Sequence, residues 1–376
     1  MIVTEVSLYH VRYEMRRALS YASAKGIESL DSTIVALRTE NGLCGWGEVC
    51  PFGRTYQHTS AESIRAVLRV LLAAIPGCDA TNIGAAVRLM HSVVAGEGYA
   101  KSAIESALWD LVGRYSNLPV CALLGGIHAQ RIPVPGGVFA KMVPNEMVSA
   151  MRELRGQGYL YFSPKLSGTV SENLACLRAL LDDLEGEEYL LVDANGSWTR
   201  ADALRITNLL AGAPAYLEQP CRTYQECLEV SRRTDVPLVL DEIMTGPSEL
   251  RQALADGAID GLKLKISRVG GLTQARKMTD LCAESGVGVW VQEAAGAELS
   301  QAAAGHLAVS VDPSVLKGAV DLQAFNARAL SEGGPTMEQG YLVVPRTPGF
   351  GVTPDQERLG APVATYGLSG RSLGLG

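Results

Sequence analysis

No apolar run in this 376-residue chain approaches the ~18 residues that a membrane-crossing helix requires, so no membrane span or membrane partner is expected. The opening stretch MIVTEVSLYHVRYEMRR is broken by charge throughout and lacks the apolar core of a secretory signal, which predicts a cytoplasmic location. Basic residues are not in excess: 33 Lys and Arg stand against 40 Asp and Glu, a formal net charge of −7. That balance argues against nucleic acid as a partner. No C-x-x-C pair occurs among Cys44, Cys50, Cys78, Cys121, Cys176, Cys221, Cys227 and Cys282. Scattered in this way, they read as free thiols in a reducing compartment and not as a disulfide framework. Histidine is scarce, with five in all, and there is no low-complexity segment.

Hydrophobic residues make up 47% of the chain, enough for one large domain or two ordinary ones with a sizeable core. Residues 1–60 pattern as strands: IVTEVSLYHVRY alternates, and STIVALRTENGLCGWGEV reads as two strands joined at Glu40-Asn41-Gly42. Residues 60–125 pattern as helices, with Ser60 placed to cap AESIRAVLRVLLAAI and apolar residues at helical spacing in KSAIESALWDLVGRY. From about residue 131 to 321 strand and helix patterns alternate, which predicts a parallel α/β arrangement. The tail from Arg346 is rich in Gly and Pro, and its end, GLSGRSLGLG, is expected to be loose.

Seven polar residues recur through the alternating region: Lys165, Asp193, Glu218, Asp241, Lys265, Glu293 and Asp321, at intervals of 23 to 28 residues. A strand with its returning helix takes about 30 residues, so the interval is that of a barrel. The first five close the apolar runs YFSPK, YLLVD, AYLE, PLVLD and GLKLK. A charged residue at the end of each strand in such a series belongs at the catalytic, C-terminal mouth of a β/α barrel. One such acid alone would read as a salt-bridge partner; Asp193, Glu218 and Asp241 on successive strands read as three hard oxygen ligands for Mg2+, with Mn2+ as the alternative. Zinc fits less well, because no histidine or cysteine joins the set. Lys165 and Lys265 are four strands apart, so an eight-stranded barrel sets them on opposite sides of that metal. Each cation, and the metal, disfavours protonation of the other amine, which suits one lysine to act as a base. Lys263, two residues before Lys265 on the same side of the pleat, reads as a deeper partner of the carboxylates.

The order Lys165, Asp193-Ala194-Asn195, Glu218-Gln219-Pro220, Asp241-Glu242 and Lys265-Ile266-Ser267-Arg268-Val269-Gly270-Gly271 resembles the enolase superfamily, in its muconate-lactonizing-enzyme subgroup. Gly45-Trp46-Gly47-Glu48 and Ala107-Leu108-Trp109-Asp110, with Leu123-Leu124-Gly125-Gly126, resemble that family's N-terminal domain. The resemblance implies an α/β fold: a modified (β/α)7β TIM-like barrel over residues 127–350, an α+β capping domain over 1–126, and a tail, 351–376, returning to the cap. It also implies removal of a proton α to a carboxylate, with Asn195 supporting the metal ligands. Mandelate-racemase relatives place a catalytic histidine after the seventh strand; here VGVWVQEAAG has none, and His306 reads as a helix-packing residue.

One departure narrows the resemblance. The family's second strand carries Lys-x-Lys, whereas here Ser163 replaces the first lysine and Pro164 precedes Lys165, removing a backbone donor. With Gly53-Arg54-Thr55-Tyr56, this stretch is similar to the subgroup's proline-analogue enzymes. That implies dehydration of cis-3-hydroxy-L-proline to Δ1-pyrroline-2-carboxylate, with C2 epimerisation as a competing outcome. The alternatives are a racemase or epimerase of a proline betaine, an N-acylamino acid or a dipeptide, a muconate cycloisomerase, or a barrel kept as a non-catalytic binding module. The partner expected is a small amino or imino acid, and the assembly a homo-oligomer. Loops near Ala18–Lys25 and Pro51–His58 are expected to close over the pocket, with Tyr56, Glu293 and Asp321 contacting substrate.

Overall fold

The structure is a computed structural model that describes residues 1–21, 24–53 and 56–368. Ala22 and Ser23, Arg54 and Thr55 of the Gly53–Tyr56 motif, and residues 369–376 of the tail lie outside the described residues.

Strands β1 (Val3–Tyr21), β2 (Ala24–Thr39) and β3 (Cys44–Val49) form an antiparallel sheet, joined on its outer edge by the late strand Ala364–Gly367. The turn after β2 is tight, with Gly42 at φ +83° and its N–H on the Thr39 carbonyl at 2.9 Å. Where a loop was expected over Ala18–Lys25, β1 and β2 instead continue as a long hairpin, with Leu19 opposite Ile27 and Tyr21 opposite Ala24. The register shifts between Glu14 and Leu19, and this irregularity masks the alternation in the sequence.

Helix α1 (Ala61–Leu72) starts at Ser60, whose hydroxyl accepts the Ser63 N–H at 3.2 Å, and buries Ile64, Leu68, Leu71 and Leu72. It is followed by α2 (Ile83–Val93) and α3 (Gly98–Ser116), and α3 lies directly on β3. The two glycines of Gly45-Trp46-Gly47-Glu48 make this possible. A Cβ at Gly45 would sit 2.3 Å from the Ala107 carbonyl, and one at Gly47 2.0 Å from that of Ala103. Side chains alternate along a strand, so Trp46 and Glu48 point the other way, toward the barrel. The strand β3 thus separates two apolar cores, one within the cap and one shared with the barrel.

The barrel has eight parallel strands: Gly136–Val138, Tyr161–Pro164, Tyr189–Asp193, Ala215–Glu218, Leu238–Leu240, Gly261–Lys265, Gly288–Gln292 and Leu316–Gly318. They are called the first to the eighth below. A long helix follows each of the first seven, giving (β/α)7β order. The eighth strand curls back to the beginning, where the Ala319 N–H meets the Pro133 carbonyl at 3.0 Å. Among the described residues no helix is long and apolar enough to cross a membrane.

Candidate active site

Every residue of the polar series lies at the C-terminal end of its strand. Asp193, Glu218 and Lys265 are the last residues of the third, fourth and sixth strands. Lys165, Asp241 and Glu293 each come one residue past the second, fifth and seventh strands, and Asp321 three past the eighth. Pairing survives Pro164, because the Lys165 N–H donates to the Val138 carbonyl at 3.3 Å. Together these ends surround a cavity of about 190 Å3. Tyr56, Ser163, Lys165, Asn195, Glu218, Asp241, Lys263, Lys265, Glu293 and Asp321 all line it, while Asp193 is fully buried against Lys165.

Burying charge is costly unless it is paired, and here every carboxylate of the trio meets a cation. Lys165 Nζ donates to Asp193 Oδ2, and Lys263 Nζ to Glu218 Oε2. Lys265 Nζ donates to Asp241 Oδ2 at 2.5 Å, and Arg268 to Asp241 Oδ1 at 2.6 Å and to its carbonyl at 2.8 Å. Tyr56 brings the cap into the cluster: its hydroxyl donates to Asp241 Oδ2 at 3.0 Å and accepts from Arg268 at 3.3 Å. The Lys265 ammonium also lies 5.7 Å from the centre of the Tyr56 ring.

The two lysines of the mouth differ electrostatically. Burial, reinforced by Arg268 and Lys263, pushes Lys265 below its ordinary value despite Asp241. Burial also acts against ionisation of Lys165, but Asp193, Glu218 and Asp241 outweigh it and raise the pKa. Burial and the charge of Asp193 push Glu218 up to about 8, whereas at Asp193 and Asp241 the neighbouring cations overcome burial and hold the pKa down.

Among the described residues no three His, Cys, Asp or Glu side chains are closed into a ready metal-ligating group, since each carboxylate of the trio is turned to a cation. The donor set still suits a hard divalent ion. Glu218 Oε1 and Asn195 Oδ1 are buried acceptor oxygens with no hydrogen-bond partner, in a site whose acceptors are all oxygen. Asn195 is held in the left-handed region, φ +46°, with its N–H on Asp193 Oδ1 at 2.8 Å and its amide on Glu242 Oε1 at 3.0 Å.

Two of the substrate-contact candidates have partners of their own. Both Glu293 oxygens are engaged by Ser267, at 2.8 Å from its N–H and 2.5 Å from its hydroxyl, and burial raises its pKa to about 7. Asp321 accepts the Ala324 N–H at 3.1 Å and the Tyr159 hydroxyl at 3.4 Å, and its pKa is raised by burial. Ser163 presents a buried hydroxyl without a partner.

Sequence reasoning gave no role to Arg268 or Gln219. Arg268 lies three residues past Lys265 on the short helix Ile266–Val269, a spacing that was visible in the motif. Gln219 follows Glu218 with φ +37°, and its side-chain oxygen takes the Asp241 N–H at 3.0 Å, so it spaces the fourth strand from the fifth. No one-dimensional signal marks that contact.

Comparison with known proteins agrees with this geometry. The model of the mandelate racemase / muconate lactonizing enzyme N-terminal domain matches residues 4–125, and that of the enolase C-terminal domain-like family matches 146–358. The chain is 34% identical over 367 residues to cis-3-hydroxy-L-proline dehydratase of Roseibium aggregatum, covering 97% of this chain and all of that one. A crystal structure of a mandelate racemase/muconate lactonizing enzyme from Roseovarius nubinhibens superposes with a TM-score of 0.93 at 33% identity, over 98% of this chain and 100% of the other. A second structure from that organism, an enolase-superfamily member complexed with magnesium, superposes with a TM-score of 0.92 at 32% identity, over 97% and 99% of the two chains. This chain belongs to the enolase superfamily, in its mandelate racemase / muconate lactonizing enzyme family.

Proposed function

We propose that this protein dehydrates cis-3-hydroxy-L-proline to Δ1-pyrroline-2-carboxylate, with residues 1–126 as its cap and 127–350 as its catalytic barrel. The observation that carries the reading is the pair of lysines, Lys165 and Lys265, which reach one cavity from the second and sixth of eight strands with the three carboxylates between them. The similarity to the Roseibium aggregatum dehydratase points to the substrate. Asp193, Glu218 and Asp241 would hold Mg2+, which when bound neutralises a substrate carboxylate and lowers the cost of removing the adjacent proton.

In cis-3-hydroxy-L-proline the hydroxyl and carboxylate share one face of the ring, so the Cα hydrogen lies on the face opposite the hydroxyl. One lysine, as free amine, takes the Cα proton, and the other, as ammonium, gives a proton to the hydroxyl. The electron pair of the C–H bond becomes the Cα–Cβ double bond, and the C–O bond breaks to release water. The resulting enamine tautomerises to the cyclic imine. Protonation of Cα by the second lysine instead would invert C2, so the same site supports epimerisation as a side reaction. Phe52, Phe139 and Phe325 give the cavity an apolar flank that fits a pyrrolidine ring.

The test is a panel of hydroxyproline isomers and their betaines, followed by the colour that a pyrroline carboxylate gives with o-aminobenzaldehyde. The expected result is product from the cis-3 isomer alone; trans-4-hydroxy-L-proline should at most epimerise. Rapid epimerisation of a betaine or dipeptide, with no imine from the cis-3 isomer, would contradict the assignment.

A further inference from the structure

We infer that Asn326 is a positioning residue for the substrate pocket: it fixes the pocket wall by holding a single peptide unit that the cap holds from the other side. The inference rests on the reading that the barrel-mouth cavity is where substrate binds. One wall of that cavity is the segment after the eighth strand, including Asp321, Leu322 and Phe325. Most of this wall is irregular chain, so its position depends on what it is tied to.

The outer tie is to the cap. The Arg16 N–H donates to the Phe325 carbonyl at 2.9 Å, and the Ala327 N–H to the Glu14 carbonyl at 2.9 Å, with Met15 bridged to Asn326 between them. Arg16 Nε also donates to the Asn326 carbonyl at 2.7 Å. At the Phe325 end the inner tie is the Asn326 side chain, only 3% exposed, whose amide donates to the Gly296 carbonyl at 2.9 Å. The N–H of that same peptide unit, from Ala297, donates to the Glu48 carboxylate at 3.0 Å. Glu48 belongs to the cap and is itself held by the Tyr13 hydroxyl at 2.9 Å and the Ser32 hydroxyl at 2.8 Å.

The Gly296–Ala297 peptide is therefore gripped at its oxygen by the loop of the eighth strand and at its N–H by the cap. It lies three residues beyond Glu293, which lines the pocket. Only glycine allows this turn: Gly296 has φ +136°, and a Cβ there would fall 2.4 Å from Ser300 Oγ. Asn326 does not line the cavity, so it acts through the residues it holds. Its loss loosens the Phe325 end of the wall, while Gln301 still holds the Leu322 and Gln323 N–H groups at 2.8 and 3.0 Å and the lysine–carboxylate cluster keeps all its own hydrogen bonds.

Asn326→Asp replaces the donor with an oxygen facing the Gly296 carbonyl, and Asn326→Ala removes the donor. For both, KM for cis-3-hydroxy-L-proline should rise by about 10-fold with kcat within about 3-fold, the signature of lost binding common to ground and transition states. Mg2+ affinity, measured by calorimetry on the full chain, should be unchanged. Amide hydrogen exchange should quicken in residues 293–297 and 319–327 and stay unchanged in the sixth strand. Arg16→Ala, at an exposed position and with the backbone bond to Phe325 kept, should shift KM and exchange the same way by less. Unchanged KM or unchanged exchange overturns the proposal, and so does a fall in kcat that tracks weaker Mg2+ binding. If the wild type fails to turn over cis-3-hydroxy-L-proline, the substrate assignment fails, and the exchange measurement then decides the role of Asn326 by itself.

Discussion

Buried carboxylates lie at the seam between cap and barrel, among them Glu48, Glu105 and Asp110, and at the barrel mouth, among them Asp193, Glu218 and Asp241. The seam set is met chiefly by backbone N–H groups. Glu48 takes those of Ala297 and Ser300, Glu105 that of Thr273, and Asp110 those of Trp46 and Phe350. Two of these contacts cap barrel helices whose own N-cap residues, Gly271 and Ala297, supply no side-chain cap. For Asp193, Glu218 and Asp241 at the mouth the partners are side-chain cations on long stems. A backbone N–H is fixed in place by the element that carries it, whereas an ammonium on four methylenes can turn to another partner. Buried carboxylates thus hold two domains together in one place and remain exchangeable in the other.

The comparison breaks most visibly at the mouth. Lys165→Ala and Lys265→Ala should each lower dehydration by on the order of 10^3-fold, the range of a lost general acid or base. Asp241→Asn, or exhaustive chelation of the wild type, should lower turnover by on the order of 10^2 to 10^3-fold. Full turnover after chelation would remove the metal from the account.

The seam should respond in the opposite sense, in stability and not in rate. Asp110 is fully buried and also receives the half-buried Arg114 guanidinium at 2.8 Å, so Asp110→Asn weakens a charge-assisted bond inside the seam. It should cost about 2 kcal/mol in denaturant unfolding while kcat/KM of the folded fraction stays within about 3-fold. A large loss of kcat/KM at unchanged stability would erase the distinction between the two regions.

These contacts also mark where the sequence was legible. Lys165, Asp193, Glu218, Asp241 and Lys265 stand out because each puts a charge at the end of a short apolar run, and strand periodicity then brings them to one rim. The seam is not legible in this way. Glu48 reaches Ala297 across 249 residues, and nothing near either residue encodes the meeting. Gly271 is a local trace of the seam, since a Cβ there would lie 1.6 Å from Glu105 Oε2. The long β1–β2 hairpin was hidden by its register shifts, and so the clamp of Arg16 on the eighth-strand loop was hidden with it.

A subtler effect of the seam is its pH dependence. Burial raises the Glu105 pKa from 4.5 to about 7. The folded state then binds this proton more tightly than the unfolded state, so the contribution to stability is largest below pH 4.5 and falls as pH rises through 7. Glu105→Gln keeps an acceptor for the Thr273 N–H and cannot ionise. It should be more stable than wild type at pH 8, by on the order of 2 kcal/mol, and no more stable at pH 4. Parallel stability curves for the two proteins would show that Glu105 stays ionised in the folded state.

The central claim, that two opposed lysines divide one elimination between them, is tested most directly by proton NMR in D2O. The wild type and the two single-lysine variants would each be given Mg2+ and cis-3-hydroxy-L-proline. The account predicts pyrroline carboxylate from the wild type alone and exchange of the Cα proton in one of the two variants, whose remaining lysine faces that proton. Dehydration at near wild-type rate in both variants would contradict it.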